Sequence, residues 1–335
     1  MTLEERISAF TKLGKYLHAI DEVEFQVLLE KVRNENPWFT EESLLLSLNG
    51  LHNYLDDGRL RRWKSNYSFS IGASKVVALI MAGNIPLVGF HDLLCILITG
   101  NCAQIKQSSK DSILIPFVTE KLIQLEPRFS DRIKFVDRLT DFDAVIATGS
   151  DNSSRYFQYY FGKYPHIIRQ NRTSIAILTG TETDDELRAL AEDAFSYFGL
   201  GCRNVSKLYV PEGYMFSKLF EQWQHRENII HHHKYCNNYD YQKSIMLVNR
   251  IPFLDNGFVM LTESARLVSP ISVIYYEYYK DLSSLKENLE NLKTKIQCMV
   301  GKVSPATIPF GQAQSPELWD YADQIDTVKF LSELN

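Results

Sequence analysis

Apolar residues recur at three- and four-residue steps from the start of the chain. Ile7, Phe10, Leu13, Leu17 and Ile20 share one face of a helix predicted over residues 3–20. Pro37 and Thr40 then punctuate the chain, and 41–55 reads as a further helix whose acidic first turn suits the helix dipole. Residues 1–65 are therefore expected to be all-helical, with no chemistry of their own. From residue 74 the pattern changes. "KVVALIMAGNIP" (75–86) is a buried strand running into a Gly-Asn-Ile-Pro turn, "HDLLCILITG" (91–100) a helix closed by Gly100, and "NCAQIKQS" (101–108) a second strand. A helix over 112–125 follows, and "RIKFVD" (132–137) and "DAVIATGS" (143–150) supply two more strands. Strands alternating with helices at this spacing imply right-handed βαβ units and a parallel sheet.

A second α/β unit begins near residue 173. "TSIAIL" (173–178) is a strand, and "TDDE" (183–186) is a capping box opening a helix toward Phe198. "SKLYV" (206–210) and "ISVIYYEYY" (271–279) are further strands. "SLKE" (284–287) is expected to cap a helix that carries Leu285, Leu289, Leu292, Ile296 and Met299, with Cys298 on it.

Composition narrows the class. With 335 residues, 45% of them hydrophobic, the chain is long enough for two packed domains. A net charge of −5 argues against a general nucleic-acid binder. The one dense basic patch, "RLRRWK" (59–64), reads as a solvated face or as a surface for an anionic substrate's phosphates. No apolar run reaches the ~18–20 residues that span a bilayer, so membrane insertion is not expected. "MTLEERISAF" is too acidic and polar for a signal peptide. Five cysteines at irregular spacing make no disulfide framework, which points to a reducing, cytoplasmic setting.

Candidate chemistry centres on "FGLGCRNVSKLYVP" (198–211). Free cysteine is usually buried and inert. Gly199 and Gly201 change that balance, because glycine permits positive φ and close backbone approach. A thiol at Cys202 could then sit at the lip of a cleft as a nucleophile. Asn84, Lys106 and the pair Gly149-Ser150 fall at or just past predicted strand ends, where ligands of parallel sheets bind. "HHHKYC" (231–236) lacks a second cluster at ligand spacing, so no metal is expected. His166 reads as structural, with a base or shuttle role as the alternative. "YFQYYF" (156–161) reads as core and rim in preference to an acyl-chain channel.

The stretch 83–109, "GNIPLVGFHDLLCILITGNCAQIKQSS", resembles the aldehyde dehydrogenase superfamily segment Asn-x-Pro, helix, Gly-Asn, Lys-Pro-Ser-Glu. "ATGS" (147–150) is similar to that superfamily's Thr-Gly-Ser cofactor turn, and "IPFGQAQSPELWDYADQIDTVKFL" (308–331) to its Pro-Phe-Gly region. More narrowly, "NPWFT" (36–40), "HIIRQNRTSIAIL" (166–178) and "DTVKFL" (326–331) look like acyl-CoA reductases, the branch holding the fatty-acid reductase of bacterial luminescence. The resemblance covers roughly residues 70–331.

It implies an α/β, aldehyde dehydrogenase-like fold. Residues 66–170, completed by 301–335, would form a Rossmann-type nicotinamide-binding domain, 171–300 an α/β catalytic domain, and 1–65 a helical N-terminal segment. Cys202 falls where the superfamily keeps its nucleophile, and Asn84 where an amide joins the Cys202 N–H in an oxyanion hole. Lys106 would bond the cofactor ribose, and Gly149 and Ser150 would let backbone approach the pyrophosphate. Ser108 and Ser109 offer uncharged donors where NAD-preferring relatives often carry a carboxylate, which favours NADPH over NADH. The implied reaction is reduction of an acyl-CoA or acyl-carrier-protein thioester to an aldehyde, with a homo-oligomer compatible with it.

Three departures stand out. Arg169, in "RQNR" (169–172), replaces the glutamate that activates water; Ser154 replaces a glycine; and "RLVSP" (266–270) replaces Glu-x-Phe-Gly-Pro. They keep open two other classes: an acyl transferase or thioesterase on a degenerate scaffold, and a non-catalytic subunit.

Overall fold

The computed structural model describes residues 1–67 and 73–334, with Asp151 described as backbone only. The chain forms two units, residues 1–171 with 317–335, and 172–316. Residues 301–316 thus belong with the second unit, and only the last stretch returns to the first.

The first unit opens with four helices: α1 (Leu3–His18), α2 (Glu22–Glu35), α3 (Glu41–Tyr54) and α4 (Asp57–Lys64). Each starts on a side-chain cap, from Thr2, Asp21, Thr40 and Asp56 in turn, and Thr2 with Glu5 makes a full capping box. The α1 stripe predicted from spacing is buried: Ile7, Phe10, Leu13 and Leu17 join the core of this unit. The basic patch lies on α4 and is spent internally. Arg61 and Lys64 pair with Glu4, Arg59 pairs with Glu317, and the Arg62 guanidinium lies 4.4 Å from the Trp319 ring centroid.

A five-stranded parallel sheet follows: β1 (Val76–Ile80), β2 (Cys102–Lys106), β3 (Ile133–Phe135), β4 (Ala144–Thr148) and β5 (His166–Arg169). Helices α5 (Phe90–Ile98), α6 (Leu114–Leu125) and α7 (Asp151–Phe161) connect them, and the strand order is β3-β2-β1-β4-β5. This is the doubly wound pattern, in which the order reverses beside β1. A C-terminal helix, Thr327–Ser332, adds Val328 and Leu331 to the same core. Trp63 Nε1 donates to Tyr321 Oη at 2.7 Å and Tyr67 Oη to Asp326 at 2.9 Å, so the last stretch is tied to the helical start.

The second unit has a six-stranded sheet, in the order β11-β6-β7-β10-β9-β8. Its elements are β6 (Thr173–Ile177), α8 (Asp184–Phe195), β7 (Val205–Pro211), α9 (Ser217–Trp223), α10 (His233–Val248), β8 (Leu254–Asp255), β9 (Met260–Glu263), β10 (Val273–Tyr279), α11 (Leu282–Leu292) and β11 (Ile296–Val300). Among the described residues of this sheet, only the β8–β9 pairing is antiparallel.

Two sequence expectations are corrected here, and one is refined. Helix α11 is capped by Asp281, which accepts from Ser284 N–H at 2.9 Å, so Ser284 lies inside the first turn. Ile296, Cys298 and Met299 are on β11, not on the helix: Ile296, Cys298 and Val300 point inward at a period of two, which the three- and four-residue spacing masks. The aromatic run 156–161 forms much of α7 and is largely open, with Tyr156, Tyr159 and Tyr160 exposed. Phe157 and Phe161 are the aromatics of that run that pack against the sheet. Among the described residues, no helix is long and apolar enough to cross a membrane.

Candidate active site

In the first unit, Ile80 at the end of β1 pairs with Lys106 on β2 and with Ala147 on β4. The loops leaving β1, β2 and β4 therefore emerge side by side at one carboxyl edge, at the point where strand order reverses. Ligands of doubly wound sheets bind at such a crevice. Lys106 ends β2, and Asn84, Ser108, Ser109, Gly149 and Ser150 lie on the three loops.

The loops are closely fitted. A Cβ on Gly83 would fall 2.5 Å from Ser108 Oγ, so the β1 and β2 loops interlock at that glycine. A Cβ on Gly149 would fall 2.8 Å from Ser153 Cβ and 2.9 Å from the Phe157 ring, so glycine lets α7 start tight against β4. Ser150 caps α7 by accepting from Ser153 N–H at 3.3 Å. Lys106 is exposed, with its Nζ donating to the Asp137 carbonyl. Ser108 Oγ accepts from Lys110 N–H at 3.2 Å, and Ser109 is exposed. Asn84 is half-buried in the turn after β1.

Arg169 ends β5 in the same unit and is buried at 4% exposure. It forms an ion pair with Asp92 in the first turn of α5, and its Nη2 donates to Thr327 Oγ1 at 3.0 Å. Burial lowers its pKa and the Asp92 carboxylate raises it, with the rise prevailing. This side chain is a fixed cation and accepts no proton. His166 begins β5 at the opposite, amino edge of the sheet, with Nδ1 2.7 Å from the Tyr164 carbonyl.

In the second unit, Cys202 lies on the turn that enters β7. It is exposed, whereas Cys95 and Cys298 are buried and Cys102 and Cys236 are half-buried. Burial pushes the Cys95 thiol well above its ordinary pKa, which removes it as a nucleophile. The five cysteines, all described, form no disulfide.

The turn is held in an unusual shape. Tyr197, Phe198 and Gly199 have φ of 52°, 59° and 75°, a left-handed run that costs roughly 1–2 kcal/mol per non-glycine residue. The Phe198 ring packs 4.5 Å from the His232 ring. Asn204, 2% exposed, fixes the backbone from below. Its Oδ1 accepts from Gly201 N–H at 2.8 Å, and its Nδ2 donates to the carbonyls of Ser196 at 2.8 Å, Asp193 at 3.2 Å and Ala194 at 3.3 Å. Ser174 Oγ donates to the Cys202 carbonyl at 3.1 Å and accepts from Cys298 N–H at 3.1 Å.

The Pro-Phe-Gly stretch is fastened to this turn. The buried Asp193 carboxylate accepts from Gly311 N–H at 2.6 Å and Ala313 N–H at 2.8 Å, while Arg203 Nε donates to the Ala313 carbonyl. Burial raises the Asp193 pKa to about 6 against the pull of those two N–H groups. Arg266, in the altered "RLVSP" stretch, lies over the Tyr275 ring at 5.0 Å.

Sequence reasoning finds Cys202 through its glycines but misses Asn204, Asp193 and Ser174, whose roles are made by folding. The only local signal is Asn204 two residues after the thiol. The His231–Cys236 stretch spans the start of α10, and among the described residues no group of three or more His, Cys, Asp or Glu side chains could hold a metal.

The family model described as acyl-CoA reductase (LuxC) matches residues 17–220. No curated protein matches the chain. Among solved structures, aldehyde dehydrogenase 21 from Physcomitrella patens, in complex with the reaction product succinate, is similar over 100% of this chain and 84% of its own, with 13% identity and a TM-score of 0.68. An indole-3-acetaldehyde dehydrogenase of P. syringae, bound to NAD+, is similar over 91% of this chain and 74% of its own, with 13% identity and a TM-score of 0.66. A mutant of aldehyde dehydrogenase C from Pseudomonas syringae, complexed with NAD+ and octanal, is similar over 84% of this chain and 69% of its own, with 11% identity and a TM-score of 0.61. The fold is that of the aldehyde dehydrogenases.

The geometry around Asn204 makes a direct expectation. Asn204→Ala removes an acceptor and a donor from a buried turn, and each stranded backbone group costs about 1–3 kcal/mol. The urea midpoint of the second unit should fall, and Cys202 should react faster with an uncharged thiol reagent as the turn loosens. An unchanged midpoint would show that water replaces the amide and that the turn holds itself.

Proposed function

Because the chain belongs to the acyl-CoA reductase (LuxC) family, we propose that it reduces an acyl thioester to an aldehyde through an acyl-enzyme on Cys202, with NADPH as hydride donor. The observation that carries the assignment is that Cys202 is the exposed cysteine of the five, on a turn anchored by a buried amide. On this reading the first unit binds the cofactor, the second carries the nucleophile, and the substrate is an acyl-CoA or acyl-carrier protein. The undisulfided cysteines suit a reducing, cytoplasmic compartment.

The carboxyl edge of the first sheet fits a nicotinamide cofactor. Lys106 and the hydroxyls of Ser108 and Ser109 supply donors for ribose or phosphate, and the start of α7 after Gly149-Ser150 supplies backbone N–H groups for a pyrophosphate. When bound, the cofactor supplies the hydride that converts the acyl carbon to the aldehyde level. The Cys202 thiolate attacks the thioester carbonyl, forming a new C–S bond. The tetrahedral oxyanion accepts hydrogen bonds from Asn84 Nδ2 and the Cys202 N–H. Its collapse breaks the bond to the CoA or carrier sulfur, which leaves as a thiol after protonation. After reduction the thiohemiacetal breaks its C–S bond, releasing aldehyde and the Cys202 thiol.

On this reading Arg169 stands at the position of the superfamily's water-activating glutamate. An ion-paired guanidinium replaces the carboxylate that would deprotonate water, so a thiol or reduced cofactor discharges the acyl group instead.

Incubation with octanoyl-CoA without reduced cofactor, followed by peptide mapping, should place the acyl group on Cys202 alone, and Cys202→Ala should abolish it. Acyl groups on Cys95, Cys102, Cys236 or Cys298 would overturn the assignment. For the cofactor, Ser109→Glu should weaken NADPH more than NADH in binding titrations, because a carboxylate repels the 2′-phosphate. Equal weakening of both would remove Ser109 from that contact.

A further inference from the structure

We propose that Asp111 is a positioning residue that locks the Asn84 turn to the Lys106–Ser109 loop, so that one carboxylate sets both carbonyl polarisation and cofactor contact. The proposal rests on the reading of Asn84 as oxyanion donor and of Lys106–Ser109 as cofactor loop.

Asp111 is 3% exposed and uses its two oxygens on two different segments. Oδ1 accepts from Leu114 N–H at 3.3 Å, at the start of α6. Oδ2 accepts from Leu87 N–H at 3.0 Å, in the turn after β1. Holding the start of α6 needs only the first of these, which a single hydroxyl acceptor could supply. The second oxygen reaches across to a turn three residues past Asn84.

That turn needs outside support. Leu87 has φ of 59°, a left-handed conformation that a branched side chain adopts at a cost. Besides Asp111, Ser47 Oγ of α3 holds it by donating to the Pro86 carbonyl at 3.0 Å. Asp111 N–H in turn donates to the Ser108 carbonyl at 3.2 Å, and Gly83 presses on Ser108, so the turn and the cofactor loop share a single mount.

The helical start of the chain braces this mount. Asn36 Nδ2 donates to the Lys110 carbonyl at 3.1 Å, and Glu35 accepts from Ser112 N–H at 3.0 Å. Glu35, Asn36 and Ser47, all in the helical start, thus hold the two loops.

Charge at Asp111 is also tunable. Burial raises its pKa to about 6, with the Glu35 carboxylate adding to the rise and the Leu87 and Leu114 N–H groups opposing it. Glu35 is the charged group facing it from α2, and Lys110 is the exposed cation beside it in its own loop. Since the folded pKa lies above the ordinary carboxylate value near 4, the folded state takes up the proton first. This group therefore adds stability as pH falls from about 6 to about 4. A loss of rate in that window is not unfolding caused by Asp111.

The test compares Asp111→Ser, Asp111→Asn and Asn84→Ala in the full chain. Two quantities are read: the single-turnover rate of Cys202 acylation by octanoyl-CoA, and the Kd for NADPH. Asp111→Ser can keep the bond to Leu114 N–H but cannot also reach Leu87. It should slow acylation by roughly 10–100-fold, the scale of an ångström-level misplacement. It should also weaken NADPH, whereas Asn84→Ala should slow acylation and leave NADPH binding unchanged. The ratio of wild-type to Asp111→Asn acylation rates should fall as pH drops through about 6, a change that a purely structural role would not produce. If Asn84→Ala is slow and Asp111→Ser matches wild type, the proposal fails while the oxyanion reading stands. If Asn84→Ala acylates normally, the oxyanion reading fails and takes the proposal with it. Should Asp111→Ser not fold, Asp111→Asn and its pH ratio decide alone.

Discussion

A thiol can be presented to solvent only if the backbone that presents it is satisfied elsewhere. Asn204 meets that requirement with a single side chain, taking one N–H and giving to three carbonyls across residues 193–201. The left-handed run at Tyr197, Phe198 and Gly199 would otherwise relax, since nothing in its own sequence favours positive φ at two aromatic residues. Ser174 and Asp193 extend the same support, the first to the Cys202 carbonyl and the second to the loop carrying Gly311 and Ala313. The exposure of Cys202 is thus a consequence of what is buried beneath it.

The first unit solves a different problem in a similar way. Strand-order reversal beside β1 makes an edge where three loops emerge together, but an edge does not fix the loops. Glycines at 83 and 149 let them approach, and Asp111 ties two of them together. In both units a buried carboxylate accepts two backbone N–H groups, Leu87 and Leu114 in the first and Gly311 and Ala313 in the second.

How much of this is legible in the sequence follows from the range of each interaction. The α/β alternation, the parallel strands and the helical start are readable because periodicity and capping are local. So is Cys202, because its glycines adjoin it. Ile296–Met299 shows the limit: three- and four-residue spacing continues past Leu292 by coincidence, and only pairing with β6 makes that stretch a strand. Asn204, Asp193 and Asp111 are not readable as anchors. The partners of Asp193 lie as much as 120 residues away, and those of Asn204 and Asp111, though closer in sequence, are backbone groups that no periodic pattern marks. The switch-point rule points to Asn84 and Lys106 but not to Cys202, which precedes β7 at its amino end.

On the proposed function, Arg169 bears on the step that separates a reductase from a hydrolase, the transfer of the acyl group to hydride or thiol and not to water. Its ion pair with Asp92 keeps it a cation that accepts no proton. The deciding measurement is the decay of isolated acylated protein in buffer, with and without NADPH. General-base assistance accelerates such steps by about 10²–10⁴-fold, so the acyl-enzyme should persist in buffer and discharge quickly to aldehyde when NADPH is added. Rapid decay in buffer alone, with carboxylic acid as the product, would contradict this chemistry and show that another group activates water.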